Sequence, residues 1–146
     1  MWSKTYSSKV TGVSAAEVWK IWADVDRWHE WQADIEFARL DGAFAKGGTF
    51  RLKPKGGPNV KIEILRCDEN RNFTDLTRFP LARMVGSHDM IEHADGLELK
   101  TTISVEGPLG FLWRKIVAQG VADSLEQQTQ WLVARARNIA ARQGRV

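Results

Sequence analysis

The chain has 146 residues, of which 43% are hydrophobic and 27% are charged, and its formal net charge is +3 at pH 7. This length and composition predict one soluble domain, residues 1–146, that buries about 70% of its unfolded surface. The lone Cys67 excludes an intramolecular disulfide, and no window approaches the roughly 20 apolar residues that span a bilayer, so membrane insertion is excluded. Without the apolar core of a signal peptide near its start, the protein is expected to be cytoplasmic.

Two short helices are predicted near the start of the chain. Ser14 and Glu17 form a capping-box pattern, in which each side chain satisfies a free backbone amide of the other residue, so a helix should begin directly after Ser14. Asp24 or Asp26 can cap a second helix that contains Trp28 to Trp31. Two helices of this length cannot close a core alone and must lie against another layer.

That layer is a predicted antiparallel sheet. Beyond the helices the hydrophobic period changes to two, and Gly, Pro, Asn and Asp turn signals separate the runs. The short links leave no room for the crossover helices that a parallel sheet demands. With the N-terminal run included, the predicted strands are Trp2–Val10, Ile35–Leu40, Thr49–Lys53, Val60–Arg66, Asn72–Phe79, Arg83–His93 and Leu97–Val105.

The last two strands can be paired from the sequence. A two-residue turn at Asp95-Gly96 is a strong hairpin signal. Because paired residues share a sheet face, His88 and Met90 should point to the same buried face as the apolar side chains of the last strand. The predicted pairs are Ala94 with Leu97, Glu92 with Leu99, Met90 with Thr101, His88 with Ile103, and Gly86 with Val105.

The faces of the predicted strand 72–79 stay undecided. One face carries Asp75, Thr77 and Phe79, and the other carries Thr74, Leu76 and Arg78. Each face mixes polar and apolar side chains, so the alternation does not show which one is buried. A buried Asp75 or Arg78 would indicate a site.

A turn signal, Gly107-Pro108-Leu109-Gly110, precedes a long amphipathic segment that runs almost to Val146. Ser124 and Gln128 fall near its apolar stripe and suggest a partly polar cavity. Gly120 costs about 0.5–1 kcal/mol relative to alanine unless another group approaches it closely. The stripe with helical spacing consists of Val117, Val121, Leu125, Gln128, Leu132, Arg135 or Ala136, and Ile139.

Basic residues gather near the end of that segment. Cations at a helix C-terminus interact favourably with the helix dipole, and no stacking aromatics are interleaved with these arginines. We therefore expect no nucleic-acid partner. The cluster consists of Arg135, Arg137, Arg142 and Arg145.

Four local strings, taken with the order of the elements, carry a family resemblance. They are Ser14-Ala15-Ala16-Glu17-Val18-Trp19, Asp24-Val25-Asp26-Arg27-Trp28-His29-Glu30-Trp31, Gly48-Thr49-Phe50-Arg51-Leu52 and Gly107-Pro108-Leu109-Gly110. Over nearly its whole length the chain resembles the START-like, Bet v 1-like (SRPBCC) superfamily, and within it the polyketide cyclase/dehydrase-type branch. It departs from many relatives at His29, where they carry proline.

The resemblance implies an α+β helix-grip fold: a seven-stranded curved antiparallel sheet wrapped around a long C-terminal helix, with two short helices after the first strand. It also implies a hydrophobic cavity between sheet and helix. Members commonly bind lipids, sterols, polyketides or other apolar molecules; some are cyclases or aromatases, and others act on partner proteins. The branch has no strict catalytic signature, so only cavity-lining positions are carried over.

The expected ligand is therefore a small apolar or aromatic molecule, lipid- or polyketide-like, bound without a cofactor by a monomer or homodimer. Trp28 and Trp31 are expected to border the mouth of the cavity. The residues expected to contact the ligand are Trp28, Trp31, Ile62, Ile64, Met84, His88, Met90, Leu99, Thr101, Ile103, Trp113, Gly120, Val121, Ser124 and Gln128.

His88 is the candidate catalytic residue, since an inward imidazole could act as a general base or anchor a ligand oxygen. The alternative is a satisfied histidine in the cavity wall. On a strand, His88 and Glu92 share a face but lie about 13 Å apart, which is too far for one metal ion. We expect no metal site, and the chain lacks the motifs of phosphate-binding loops and serine hydrolases.

Three functions remain open. The first is a carrier or sensor that holds an apolar molecule, and the second is a cyclase, aromatase or dehydratase that uses the same cavity. The third is a protein-interaction module of the chaperone-activator kind, which predicts a small or filled cavity and an exposed apolar patch.

Overall fold

A computed structural model describes residues 1–142 as one antiparallel sheet with helices packed on its inner face. The seven strands lie in the order β1-β7-β6-β5-β4-β3-β2, so β5 and β6 are central strands. This confirms the helix-grip architecture. The elements are β1 Trp2–Val10, α1 Ala15–Ala23, a 3₁₀-helix Val25–Glu30, β2 Ile35–Asp41, β3 Thr49–Pro54, β4 Val60–Asp68, β5 Asn72–Phe79, β6 Ala82–His93, β7 Gly96–Glu106, α2 Gly110–Trp113, a π-helical turn Arg114–Ala118, α3 Gln119–Asp123 and α4 Leu125–Arg142.

The predicted capping box is confirmed at the start of α1. The Ser14 hydroxyl accepts the Glu17 amide at 3.1 Å, and the Glu17 carboxylate accepts the Ser14 amide at 2.9 Å. The predicted cap of the second helix is wrong, because the Asp24 side chain accepts no hydrogen bond from the backbone amides of that helix. The Asp26 carboxylate instead accepts the backbone amide of Leu40 at 2.7 Å and ties the 3₁₀-helix to β2.

The predicted β6–β7 register is wrong by two residues. His93 pairs with Gly96, so the two-residue loop is Ala94-Asp95 rather than Asp95-Gly96. Gly96 serves a different purpose: a Cβ there would lie 2.7 Å from the backbone oxygen of Val10, so glycine lets β1 approach β7. A shift of two residues preserves the faces of both strands. The inward orientation of His88 is therefore confirmed, with Thr101 as its partner on β7.

The C-terminal segment is helical from Gly110 to Arg142 but is not one continuous α-helix. A π-helical turn interrupts it early, and a second break falls at Ser124, whose hydroxyl donates to the Val121 carbonyl at 2.8 Å. No group approaches Gly120 closely enough to offset the cost of glycine in a helix, because a Cβ there would meet nothing within 4 Å. No helix among residues 1–142 combines the length and hydropathy needed to cross a bilayer.

Arginines of the predicted basic cluster fasten this segment to the rest of the fold. Arg135 pairs with Glu30 of the 3₁₀-helix at 2.7 Å, and Arg137 donates to the Thr11 carbonyl at 3.0 Å. Arg145 lies outside the described residues. The two contacts hold α4 against the 3₁₀-helix and the β1–α1 link.

Buried side chains form two separate apolar clusters on the inner face. The first lies under α1, the 3₁₀-helix and the second half of α4, and includes Phe73, Met90, Leu99 and Leu132. The second lies under the π-helical turn and the start of α4, and is built from Met84, Ile103, Val105, Ala118 and Leu125. The residues between the two clusters are polar, and they define the candidate site.

Candidate functional site

A line of inward-facing polar side chains crosses three adjacent strands between the two apolar clusters. Thr101 of β7 pairs with His88 of β6, and Asp75 and Thr77 follow on the inner face of β5. Along each strand, inward apolar residues on one side of this line belong to the first cluster, and those on the other side belong to the second cluster or pack against it. We name Thr101, His88, Asp75 and Thr77 the polar belt.

His88 and Asp75 form an ion-pair geometry at the centre of this belt. Nε2 of the imidazole lies 2.9 Å from a carboxylate oxygen of Asp75. The exposed fractions of the two side chains are 20% and 15%, so both remain accessible although they face the helical side of the sheet. These two inward groups are therefore not sealed in a dry core.

Aromatic packing fixes the His88 ring. It stacks on Phe73, its direct partner on β5, with ring centroids 4.2 Å apart and planes 13° apart. Trp22 of α1 meets the edge of both rings, at 5.9 Å from His88 and 5.0 Å from Phe73. With Nε2 held by Asp75 and one face held by Phe73, the imidazole has a defined orientation.

Gly86 provides the space that the Asp75 carboxylate occupies. The two residues are cross-strand partners, and a Cβ on Gly86 would lie 2.9 Å from Oδ1 and 3.1 Å from Oδ2 of Asp75. A real Cβ does not tolerate a contact of 2.9 Å, so any side chain here would push the carboxylate away. The glycine therefore allows Asp75 to lean towards His88.

The helical segment faces the sheet with polar groups of its own. Gln128 donates from its amide nitrogen to the Ser124 hydroxyl at 2.8 Å, and both side chains are half-buried. Leu125 belongs to the second cluster and Leu132 to the first, so Gln128 lies between the clusters, as the polar belt does. That Ser124 and Gln128 line a ligand cavity stays a prediction.

Five residues expected to contact a ligand are fully packed in the first cluster. Their exposed fractions lie between 1% and 8%, and ligand contact by them stays a prediction. Trp28 does not border an opening, because it is buried and its indole N–H donates to the Trp22 carbonyl at 3.1 Å. The five are Trp28, Ile62, Ile64, Met90 and Leu99.

The second cluster is more open. Of the expected ligand contacts here, Met84 and Ile103 are buried, whereas Val121 and Trp113 are half-buried. Trp113 stacks on Phe79 with centroids 4.5 Å apart, and its indole N–H donates to the Pro80 carbonyl at 2.9 Å. Half-buried apolar side chains, Trp113 and Val121 among them, therefore border the second cluster.

Two pockets on the surface lie away from the belt. One, of about 220 Å³, is bounded by α1, the 3₁₀-helix and α4, and includes Trp31 and Arg135. The other, of about 380 Å³, lies between the β1–α1 link and the β6–β7 loop. The hollow predicted between sheet and helix is neither of these two, so Trp31 borders a different opening from the one expected.

Sequence reasoning missed part of this arrangement. The sequence does not show which face Asp75 occupies, and it does not mark Gly86 or Phe73 as site residues. A glycine inside a strand often marks the close approach of another group, so Gly86 carried a usable signal. The sequence contains no local signal for the stacking of Phe73 on His88, because this contact depends on the β5–β6 register.

Comparison with known proteins places the chain in a family. Residues 1–137 match the family model described as polyketide cyclase / dehydrase and lipid transport. No curated protein sequence shows a significant match.

Solved structures share the fold at low sequence identity. A START superfamily protein from Mycobacterium smegmatis is 16% identical, with a TM-score of 0.69 over 94% of this chain and 98% of its own. Ara h 8.0201 is 14% identical, with a TM-score of 0.71 over 92% of this chain and 98% of its own. The two-domain ARO/CYC protein StfQ of the steffimycin biosynthetic pathway is 11% identical, with a TM-score of 0.74 over 95% of this chain and 52% of its own.

Proposed function

The chain belongs to the polyketide cyclase / dehydrase and lipid transport family, and from that premise we propose that it binds a small planar apolar molecule across the polar belt. The ligand class is an aromatic or polycyclic molecule that carries hydroxyl or carbonyl oxygens. Its apolar body would cover the half-buried side chains of the second cluster. An oxygen would meet the belt.

The observation that carries this proposal is the accessible His88–Asp75 pair between two apolar clusters. A pair with a purely structural role in the core would be fully buried. The exposed fractions of the His88 and Asp75 side chains are instead 20% and 15%. Ligand sites are mostly apolar, with a few polar groups that fix orientation. The belt and its flanking clusters have this composition.

The chemistry of the belt favours a ligand oxygen over a fully apolar guest. An ionised carboxylate only accepts hydrogen bonds, whereas a threonine hydroxyl and an imidazole can donate or accept. A ligand without polar atoms would leave the His88–Asp75 pair desolvated and without compensation, which is costly. A phenol or ketone would restore the lost contacts.

Binding can be tested by calorimetric titration with emodin, a tricyclic phenolic ketone, and with oleate as a lipid of different shape. We expect saturable binding of emodin that His88→Ala weakens about tenfold, the value of one hydrogen bond to a charged partner. Ile91→Ala is the matched control, because Ile91 lies on the same strand, points to the other face and is 40% exposed. Equal affinity in all three proteins would refute the site.

Oleate separates the ligand classes. A flexible chain with a terminal carboxylate does not match a polar belt that crosses the middle of an apolar interior. We expect weaker binding of oleate than of emodin. Tight oleate binding that His88→Ala leaves unchanged would contradict the planar-ligand proposal.

The same pair supports a second candidate, an intramolecular cyclase of the kind known among polyketide enzymes. His88 would take a proton from a carbon next to a carbonyl. That carbon would then bond to a second carbonyl carbon in the same molecule, whose oxygen would take the proton back from the imidazolium. Asp75, as a carboxylate 2.9 Å from Nε2, would stabilise the imidazolium.

Turnover distinguishes this candidate from simple binding. A linear 1,3,5-triketone that can condense with itself would be incubated with the protein and followed by mass spectrometry. A cyclase would form the ring faster than buffer, and His88→Ala would abolish the acceleration. If the triketone binds but is recovered unchanged, the cyclase candidate is excluded and the binding proposal stands.

A further inference from the structure

Apolar side chains are exposed together at one end of the molecule. Among residues 1–142, seven large hydrophobic side chains are exposed, and four of them lie where the β5–β6 loop meets the start of the C-terminal helical segment. They are Leu81 (64% exposed), Phe111 (67%), Leu112 (40%) and Ile116 (60%). We name these four residues the apolar tip.

Backbone contacts hold the two parts of the tip side by side. The Leu109 amide donates to the Leu81 carbonyl at 3.0 Å, two residues before Phe111. Leu81 has a positive φ of 57°, which is an uncommon backbone conformation for a residue other than glycine. Gly107 leaves the room this contact needs, since a Cβ there would lie 2.7 Å from the Leu81 oxygen. The exposed leucine is therefore fixed in place rather than displayed by a loose loop.

The charge around the tip is positive. Two arginines nearby are neutralised, because Arg78 pairs with Glu63 and Arg83 pairs with Glu106. Arg114 lies over the Trp2 ring at 5.0 Å and pairs with no carboxylate of residues 1–142. Lys115, between Leu112 and Ile116, is exposed and makes no ion pair with the described residues.

We propose that the apolar tip docks on the surface of a lipid bilayer that contains anionic headgroups. Exposed aromatic and aliphatic side chains beside unpaired cations are typical of interfacial anchors. Each cation near an anionic surface adds attraction, and the apolar side chains leave water for the acyl boundary. Such docking needs no spanning helix.

A second copy of the chain fits this surface less well. A symmetric dimer brings the same patch of both copies together. Arg114 and Lys115 of both copies would then face one interface, with the nearby carboxylates Glu63 and Glu106 already paired. A bilayer with anionic lipids has the complementary charge.

Docking of the apolar tip would also bring the second cluster close to the membrane. Trp113 and Val117 lie on the same helical segment as the tip but pack against the second cluster. The more open half of the interior would then lie next to the lipid. An apolar ligand could pass between membrane and protein with little exposure to water.

Vesicle co-sedimentation tests the docking without reference to any ligand. The intact protein is mixed with phosphatidylcholine vesicles, with and without phosphatidylserine. We expect binding to the anionic vesicles that added salt weakens. Phe111→Asp should weaken it at least about tenfold, because it replaces an aromatic side chain in the acyl boundary with a charge. Lys115→Gln should weaken it about fivefold.

Leu65→Asp is the matched control, since Leu65 is 39% exposed and lies on β4 outside the tip. Circular dichroism confirms that each variant is folded. The proposal is overturned if neither vesicle binds, if Leu65→Asp weakens binding as much as Phe111→Asp, or if ultracentrifugation shows that Phe111→Asp dissociates a dimer instead. Because emodin binding in solution is measured separately, failure here leaves the ligand-binding proposal intact.

Discussion

The carboxylate of Asp75 lies directly over Gly86, its partner on the neighbouring strand. A methyl group at position 86 would come within 2.9 Å of Oδ1, so the contact exists only because the residue is glycine. Gly86 therefore also affects His88, because the same Asp75 carboxylate orients the His88 ring.

Gly86→Ala should displace the Asp75 carboxylate without unfolding the protein. The atoms that the new methyl group would meet are the carboxylate atoms of Asp75, and that side chain can rotate away. We expect emodin affinity to fall about tenfold, as for a lost hydrogen bond to a charged group. NMR of the His88 ring should report the changed environment. An unchanged His88 ring spectrum would show that Asp75 does not depend on Gly86.

Gly120→Ala, unlike Gly86→Ala, should stabilise the protein. Nothing lies within 4 Å of the missing Cβ, so alanine removes only the conformational freedom of glycine in a helix. We expect the free energy of unfolding in urea to rise by about 0.5–1 kcal/mol. A loss of stability would reveal a close contact at Gly120 that the structure does not show.

Cys67 should react slowly with thiol reagents near neutral pH. Burial raises the pKa of the Cys67 thiol, and the negative charges of Asp68 and Glu69 raise it further. The thiolate is the reactive form, so a raised pKa lowers its fraction. Ellman's reagent should react markedly more slowly with the folded protein than with free cysteine, and urea should remove the difference. Equal rates before unfolding would contradict the burial.

Arg135→Gln should raise the pKa of Glu30. The hydrogen bond from Arg135 holds that pKa below its ordinary value, with the charge of the same guanidinium adding to it. For a carboxyl with a lowered pKa, the stabilisation is present above the ordinary pKa and is lost as the pH falls through the lowered one. The carboxyl carbon of Glu30, followed by NMR, should titrate at higher pH in the variant. An unchanged midpoint would show that the ion pair is absent in solution.

The fold could be predicted because its signals are local. The capping box of Ser14 and Glu17 depends on residues three apart, and the alternation of residues 97–105 shows its buried face within one strand. The turn before residue 110 is likewise a short string. The β6–β7 register needed long-range information, because Gly96 is required by the approach of β1 and not by the loop itself.

The site could be predicted only in part. The inward orientation of His88 follows from one hairpin, but its partner Asp75 belongs to a strand with mixed polar and apolar residues on both faces. The π-helical turn and the break at Ser124 also left no clear sequence signal. These features arise from packing between distant segments, which a single sequence does not display.

The central claim is that a planar ligand binds across the polar belt, and NMR mapping of backbone amides during emodin titration tests it most directly. We predict that the largest shifts fall on Asp75, His88, Thr101 and Val121. Shifts confined to the surface pocket around Trp31, or no shifts at concentrations that saturate binding, would contradict the claim.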